Sequence, residues 1–168
     1  MKKTDMMTIQ SRHIGKYQLQ HKIGQGSTAD VWAASPAYND SSVALKIFSY
    51  AAHLNNEALA LFETEFAKTK HLKHPNILSA LHFIYEDKTP VLVFPKCDSC
   101  LEKELRERQM SALEKGEPLQ KPFSDEEIFE IVFQFASGLE YLHDNGIIHN
   151  DIKPANVVFN LNSNKENQ

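Results

Sequence analysis

The sequence predicts an α+β fold: a five-stranded antiparallel sheet carrying one helix, followed by the start of a helical region. Three observations predict it. Strand-like alternation begins with Tyr17, Leu19, His21 and Ile23, and short apolar runs continue as far as Phe94. A helical stripe interrupts these strands, with Leu54, Ala58, Leu61, Phe62, Phe66 and Leu72 on one face. A second stripe, Ile128, Ile131, Val132, Phe135, Leu139 and Leu142, fits within one third of a helix circumference.

The bulk properties narrow the class. A chain of 168 residues is the size of one domain. Its 42% hydrophobic and 24% charged residues suit a soluble globular protein. A net charge of −4 gives no reason to expect nucleic acid or an anionic membrane as partner. The start, Met1-Lys2-Lys3-Thr4-Asp5, lacks the apolar run of a signal peptide, and no stretch has the length of a membrane span. Two cysteines, Cys97 and Cys100, imply no disulfide framework. The expected location is cytoplasmic.

Taken in order, residues 1–14 read as a polar, Met-rich tail. A strand from Tyr17 to Ile23 leads into Gly24-Gln25-Gly26-Ser27-Thr28-Ala29, and a second strand passes through Val31 and Ala33. A glycine-rich loop of this kind also occurs in dinucleotide folds, but there a helix follows it. Here the short run ending at Pro36 suits a strand. Asn39-Asp40-Ser41-Ser42 is a turn signal, and Val43-Ala44-Leu45-Lys46-Ile47-Phe48 a third strand. The first helix spans about 55–73 and ends before Pro75, because the residue preceding a proline avoids the α region. Glu65 sits within its apolar face, with Glu57 and Glu63 to the sides. A carboxylate aimed at a core needs a partner; a Glu at the face edge reaching water is the alternative. Two further strands, Leu78 to Tyr85 and Val91 to Phe94, are joined at Glu86-Asp87-Lys88.

Beyond the strands, Cys97-Asp98-Ser99-Cys100 matches C-x-x-C, but zinc needs four ligands and no second pair exists. His71 and His74 read as a helix-end pair. Ser99 with Glu102 has the spacing of a capping box for a short helix through Leu101 and Leu105. Residues 109–123, with Gly116, Pro118 and Pro122, read as a loop. Ser124 and Glu127 cap the second long helix, and Asn145-Gly146 stops it. Then comes His149-Asn150-Asp151-Ile152-Lys153-Pro154-Ala155-Asn156, a polar run between Ile147-Ile148 and Val157-Val158-Phe159, expected as strand, loop, strand with the apolar flanks buried. A carboxylate, an ammonium and an amide in one loop are the parts that phosphoryl transfer needs, since it rests on positioning and charge neutralisation.

The run from His149 to Asn156 resembles the catalytic loop of the protein kinases, H-R-D-x-K-P-x-N, with Asn150 in place of the usual Arg. Lys153-Pro154 is similar to the serine/threonine branch, although small-molecule phosphotransferases share the looser H-x-D-x-x-x-x-N pattern. Val43-Ala44-Leu45-Lys46 resembles the family's V-A-I-K strand, and His74-Pro75-Asn76-Ile77 its turn after the helix. The resemblance implies a kinase-like fold: a small lobe over 15–95, then a hinge and the first part of a helical large lobe over 96–168. It implies ATP and Mg²⁺ as cofactors and a protein hydroxyl as acceptor. In that frame Asp151 orients or deprotonates the hydroxyl, Lys153 meets the transferred phosphoryl, and Asn156 binds the metal. Lys46, paired with Glu65, holds the α/β-phosphates under a hairpin of Ile23, Gly24, Gln25, Gly26, Ser27 and Val31. Ala44, the gatekeeper Phe94, Pro95 through its carbonyl, and Cys97 through its N–H face the adenine. Asn150 removes the Arg that meets a phosphorylated activation loop.

The sequence given reaches Gln168 without a D-F-G motif, whose Asp holds Mg²⁺ in the family. Two expectations follow. Catalysis by these residues alone is impaired or lost, with a non-catalytic nucleotide- or protein-binding module as the alternative. The stripe over residues 125–143 lacks later helices to cover it; at about 1.5–3 kcal/mol per full burial, this forfeits on the order of 10 kcal/mol. Residues 1–168 are therefore expected to fold poorly, self-associate, or bind a covering partner.

Overall fold

The structure is a computed structural model that describes residues 13–38, 41–48, 56–86, 89–116 and 121–160, except the side chains of residues 56–58, 61 and 65. The expectations for the tail before residue 13, Asn39-Asp40, Leu54, Asp87-Lys88, Pro118 and the chain after Asn160 fall outside the described residues. So do those for the side chains of Glu57, Ala58, Leu61 and Glu65.

Two compact units form, one of Met1–Lys73 with Leu78–Lys96, the other of His74–Ile77 with Cys97–Gln168. The first is built on an antiparallel sheet. Its strands are β1 (His13–Ile14), β2 (Tyr17–Gln25), β3 (Ala29–Pro36), β4 (Val43–Phe48), β5 (His82–Glu86) and β6 (Thr89–Pro95), in the order β1-β2-β3-β4-β6-β5. Six strands rather than five form because His13 and Ile14 fold back on Gln18 and Tyr17 through a turn at Gly15, too short a segment to show a period. The strand expected from Leu78 starts only at His82, although Leu81 N–H already reaches Val93 O at 2.7 Å.

Alternation divides the sheet residues between two faces. One face gathers Ile14, Tyr17, Leu19, Ala34, Val43, Leu45, Val91 and Val93. The other gathers Ala29, Phe48 and Leu92 under helix α1 (Asn56–Thr69), which contributes Phe62, with Leu59 and Phe66 alongside. Helix α1 ends at Thr69, earlier than Pro75 alone requires, and Leu72 is still buried past its end.

The second unit holds β7 (Ser99–Cys100), α2 (Leu101–Glu114), α3 (Asp125–Asp144), a 3₁₀ turn (Pro154–Asn156) and β8 (Val158–Phe159). The expected Ser99–Glu102 capping box is absent. The cap is Cys100, without a side-chain bond, because Ser99 is drawn into β7, where its hydroxyl is buried without a partner. Helix α2 also runs to Glu114, where a loop was expected from 109. Its ion pairs Lys103–Glu107, Arg106–Glu102 and Arg108–Glu104 sit at helical spacing and extend it through a polar stretch. Arg108 then reaches Glu127 at 2.9 Å and Pro122 O at 3.0 Å, and stacks 4.1 Å from the Phe123 ring, tying α2 to the start of α3. The capping box at Ser124 and Glu127 forms as the spacing predicts, and Asn145 caps the far end.

Candidate active site

The glycine hairpin is the junction of β2 and β3. Gly24 lies opposite Val31 and Gln25 opposite Asp30. Gly26 N–H closes the turn on Ala29 O at 2.8 Å, and a Cβ on Gly26 would stand 3.2 Å from that oxygen, which is why glycine fits there. The Ala29 methyl, at the place of a third glycine, is buried against the α1 face of the sheet. Ile23 is 46% exposed at the edge of the hairpin, Ser27 lies in the turn, and Lys22 braces the base through Asp30 at 2.9 Å.

Lys46 lies opposite Val31 on β3 and Leu92 on β6. Strand alternation puts it on the face shared with Phe48 and α1, and its ammonium stands 5.5 Å from the centre of the Phe62 ring. The expected partner Glu65 is on α1, but its side chain is outside the described residues. Ala44 pairs with Phe94 and Val43 with Pro95 at the end of β6, so Ala44, Lys46 and Phe94 share the α1 side of the sheet. Cys97 follows in the second unit and is half-buried.

The loop from His149 to Asn156 is built differently from the expected strand–loop–strand. Ile147 and Ile148 form no strand. Ile147 N–H turns back on Leu142 O at 2.9 Å, and Ile148 is 73% exposed. An apolar pair immediately after a helix stop is used to close the helix end. The far side does pair: β7 and β8 run antiparallel, with Ser99 opposite Phe159 and Cys100 opposite Val158. Asp98 N–H to Phe159 O at 2.9 Å and Leu101 N–H to Val157 O at 2.8 Å extend the clamp. Val158 remains 38% exposed, so backbone pairing more than burial holds this end.

Within the loop, three predicted residues meet. Lys153 Nζ is 2.8 Å from Asp151 Oδ2. Asn156 Nδ2 donates to Asp151 Oδ2 at 2.9 Å and to its carbonyl at 2.8 Å. Asp151 N–H donates to His149 Nδ1 at 3.3 Å. The bonds from Lys153 and Asn156 hold the Asp151 carboxyl below its ordinary range. Asn150 takes φ 60°, a left-handed conformation that Asn tolerates better than most residues and that turns the chain into Asp151.

Sequence reasoning missed a brace on α3. His74 to Ile77 lie between α1 and β5 in the chain yet belong to the second unit. The His74 ring stacks on Tyr141 at 4.9 Å, and Asn76 Nδ2 donates to Gln134 Oε1 at 3.1 Å. A Cβ on Gly138 would stand 2.9 Å from Asn76 O, so that glycine permits the approach. The small residue in the α3 stripe was the available signal. Phe62 beside Lys46 was missed too, since helical spacing marked it only as core.

The geometry is matched by comparison. The family model of the protein kinase domain fits residues 17–166, so the chain belongs to the protein kinase domain family. It is 31% identical over 152 residues to the serine/threonine-protein kinase PrkC of Bacillus subtilis (strain 168), covering 90% of this chain and 22% of that protein. It is 31% identical over 138 residues to the human serine/threonine-protein kinase TAO3, covering 82% of this chain and 14% of that one. The chain thus spans less than a third of these relatives. Its fold matches the PknI kinase domain of Mycobacterium tuberculosis with a TM-score of 0.69, at 22% identity, over 92% of this chain and 60% of that one.

Proposed function

We propose that this chain carries the ATP-binding and catalytic-loop part of a serine/threonine protein kinase, which transfers the γ-phosphoryl group of ATP to a protein hydroxyl. The observation that carries the reading is the Asp151–Lys153–Asn156 cluster at 2.8–2.9 Å. On this reading Asp151, whose charged form its neighbours favour, accepts the hydroxyl proton. Lys153 supplies positive charge beside it for the phosphoryl group. Asn156 donates through Nδ2, which leaves its amide oxygen on the other side as a ligand for a hard cation such as Mg²⁺. Bound there, Mg²⁺ would neutralise phosphate charge. Lys46 takes the α/β-phosphates, the residues from Ile23 to Val31 cover them, and Ala44, Phe94, Pro95 and Cys97 line the adenine position.

A second reading has its own support. Helix α3 presents Ile128, Phe129, Val132 and Phe133 to solvent. On that reading the chain is a non-catalytic nucleotide- or protein-binding module, and a second copy of the chain covers the α3 face. A small-molecule phosphotransferase fits Lys153-Pro154 and the turn at His74 less well. A cytoplasmic location goes with either proposal. The deciding test is displacement of a fluorescent ATP analogue by MgATP. Saturable, displaceable binding shows the nucleotide site that the first reading requires, and phosphorylation of a peptide hydroxyl then separates it from a non-catalytic nucleotide-binding module; a folded chain that binds no nucleotide overturns it in favour of the protein-binding module.

A further inference from the structure

Helix α1 touches the sheet through a ladder of rings that begins at Lys46. The Lys46 ammonium lies over Phe62. Phe62 also meets Phe48 edge-on at 5.4 Å and Phe83 at 6.4 Å. Phe83 stacks on Phe66 at 5.5 Å and meets Tyr85 edge-on at 5.2 Å. The ladder returns to the helix, because the Tyr85 hydroxyl donates to Glu63 Oε1, the residue after Phe62. Rings alone leave a helix free to slide or roll over an apolar face, since burial is not directional. A hydrogen bond to a carboxylate fixes a position and is among the stronger kinds.

We propose that the Tyr85–Glu63 hydrogen bond is a positioning latch that sets the rotation of α1, and through Phe62 the place of the Lys46 ammonium at the nucleotide phosphates. This rests on the nucleotide reading above, and it makes Tyr85 and Glu63 positioning residues that touch no substrate. Their bond raises the Tyr85 hydroxyl above its ordinary range, as expected of a proton shared with a carboxylate. Tyr85 is 53% exposed, so removing its hydroxyl leaves no buried group unpaired.

The test uses the 168-residue chain with Tyr85→Phe and Glu63→Gln, the latter retaining an acceptor for the hydroxyl. Amide hydrogen exchange over 56–69 reads the helix without any ligand. Titrations with MgATP and with adenosine read the site. In Tyr85→Phe, faster exchange in α1 is expected, with MgATP weakened about three- to tenfold. Adenosine, which has no phosphate for Lys46, keeps its affinity, and Glu63→Gln, whose neutral acceptor makes a weaker bond, falls between wild type and Tyr85→Phe. Unchanged exchange in α1 overturns the latch. Faster exchange with unchanged MgATP affinity, or equal loss for adenosine, overturns the link to Lys46. A wild-type chain that binds no nucleotide overturns the nucleotide reading and the Lys46 link with it, and the exchange data still decide the latch.

Discussion

The sheet of the first unit and helix α3 of the second carry comparably apolar patterns and meet opposite fates. Leu45, Val91, Leu92 and Val93 are fully buried. On α3, Ile128, Phe129, Val132 and Phe133 are 41%, 71%, 57% and 63% exposed, and the two Phe rings stack on each other at 6.2 Å. The sheet is buried because α1 packs on one face, and on the other Ile14, Tyr17 and Leu19 of β1 and β2 cluster with Val43, Leu45, Val91 and Val93. Along α3 the turn at His74 meets Gly138 and Tyr141, and Gly138 and Leu142 are buried. An apolar pattern states which residues gain from leaving water; it does not state what will cover them. On the second reading proposed above, this exposed patch is where a second copy of the chain docks.

The contrast is broken most severely in the sheet. Leu92→Ala should cost about 2–5 kcal/mol, since it empties a site packed by α1 and by strands on both sides. Thermal unfolding followed by circular dichroism checks it, and an unchanged midpoint would mean the sheet core is not what holds the first unit. In the second unit, Gly138→Ala pushes a methyl against Asn76 O and should cost about 1–3 kcal/mol by overpacking. The same melt, with the His74 ring followed by NMR, shows whether the turn lifts off α3.

On the exposed face the sign reverses. Phe129→Ser with Phe133→Ser should leave the unfolding midpoint nearly unchanged and reduce self-association, measured by sedimentation across a range of concentrations. Association of the wild type that survives both substitutions would place the contact elsewhere.

The smallest effect concerns the loop. Asp151 titrates below its ordinary value of 3.8 because Lys153 and then Asn156 bond to its charged form. A depressed carboxyl contributes stability above the unfolded value and loses it as the pH falls through the folded value. That loss therefore lies below pH 3.8. Lys153→Met should move the Asp151 carboxyl resonance upward in an NMR titration, back toward the ordinary value. No movement would mean the ion pair does not set the charge state.

How much was legible follows the same division between pattern and cover. The strands β2, β3, β4 and β6 and both long helices could be read because period and caps are local signals. The cluster in the loop was legible as well: Asp151, Lys153 and Asn156, read as one polar run, meet within it. Pairing between distant short segments was not. Neither His13-Ile14 nor Ser99-Cys100 is long enough to show alternation, so each becomes a strand only when its partner arrives. Ile147-Ile148 failed for the opposite reason, since an apolar pair looks the same whether it enters a sheet or closes a helix. Phe62 showed its helical face but not its neighbour, because the register of β4 against α1 lies in tertiary packing.

The proposed function gives the nucleotide phosphates to Lys46 and leaves Asp151 out of nucleotide binding. Calorimetric titration of MgATP into the wild type, Lys46→Met and Asp151→Asn tests it most directly. Binding lost in Lys46→Met and retained in Asp151→Asn is the predicted result. Equal binding by wild type and Lys46→Met would contradict it, because the phosphates would then be held without the ammonium that lies over Phe62 on the α1 face of the sheet.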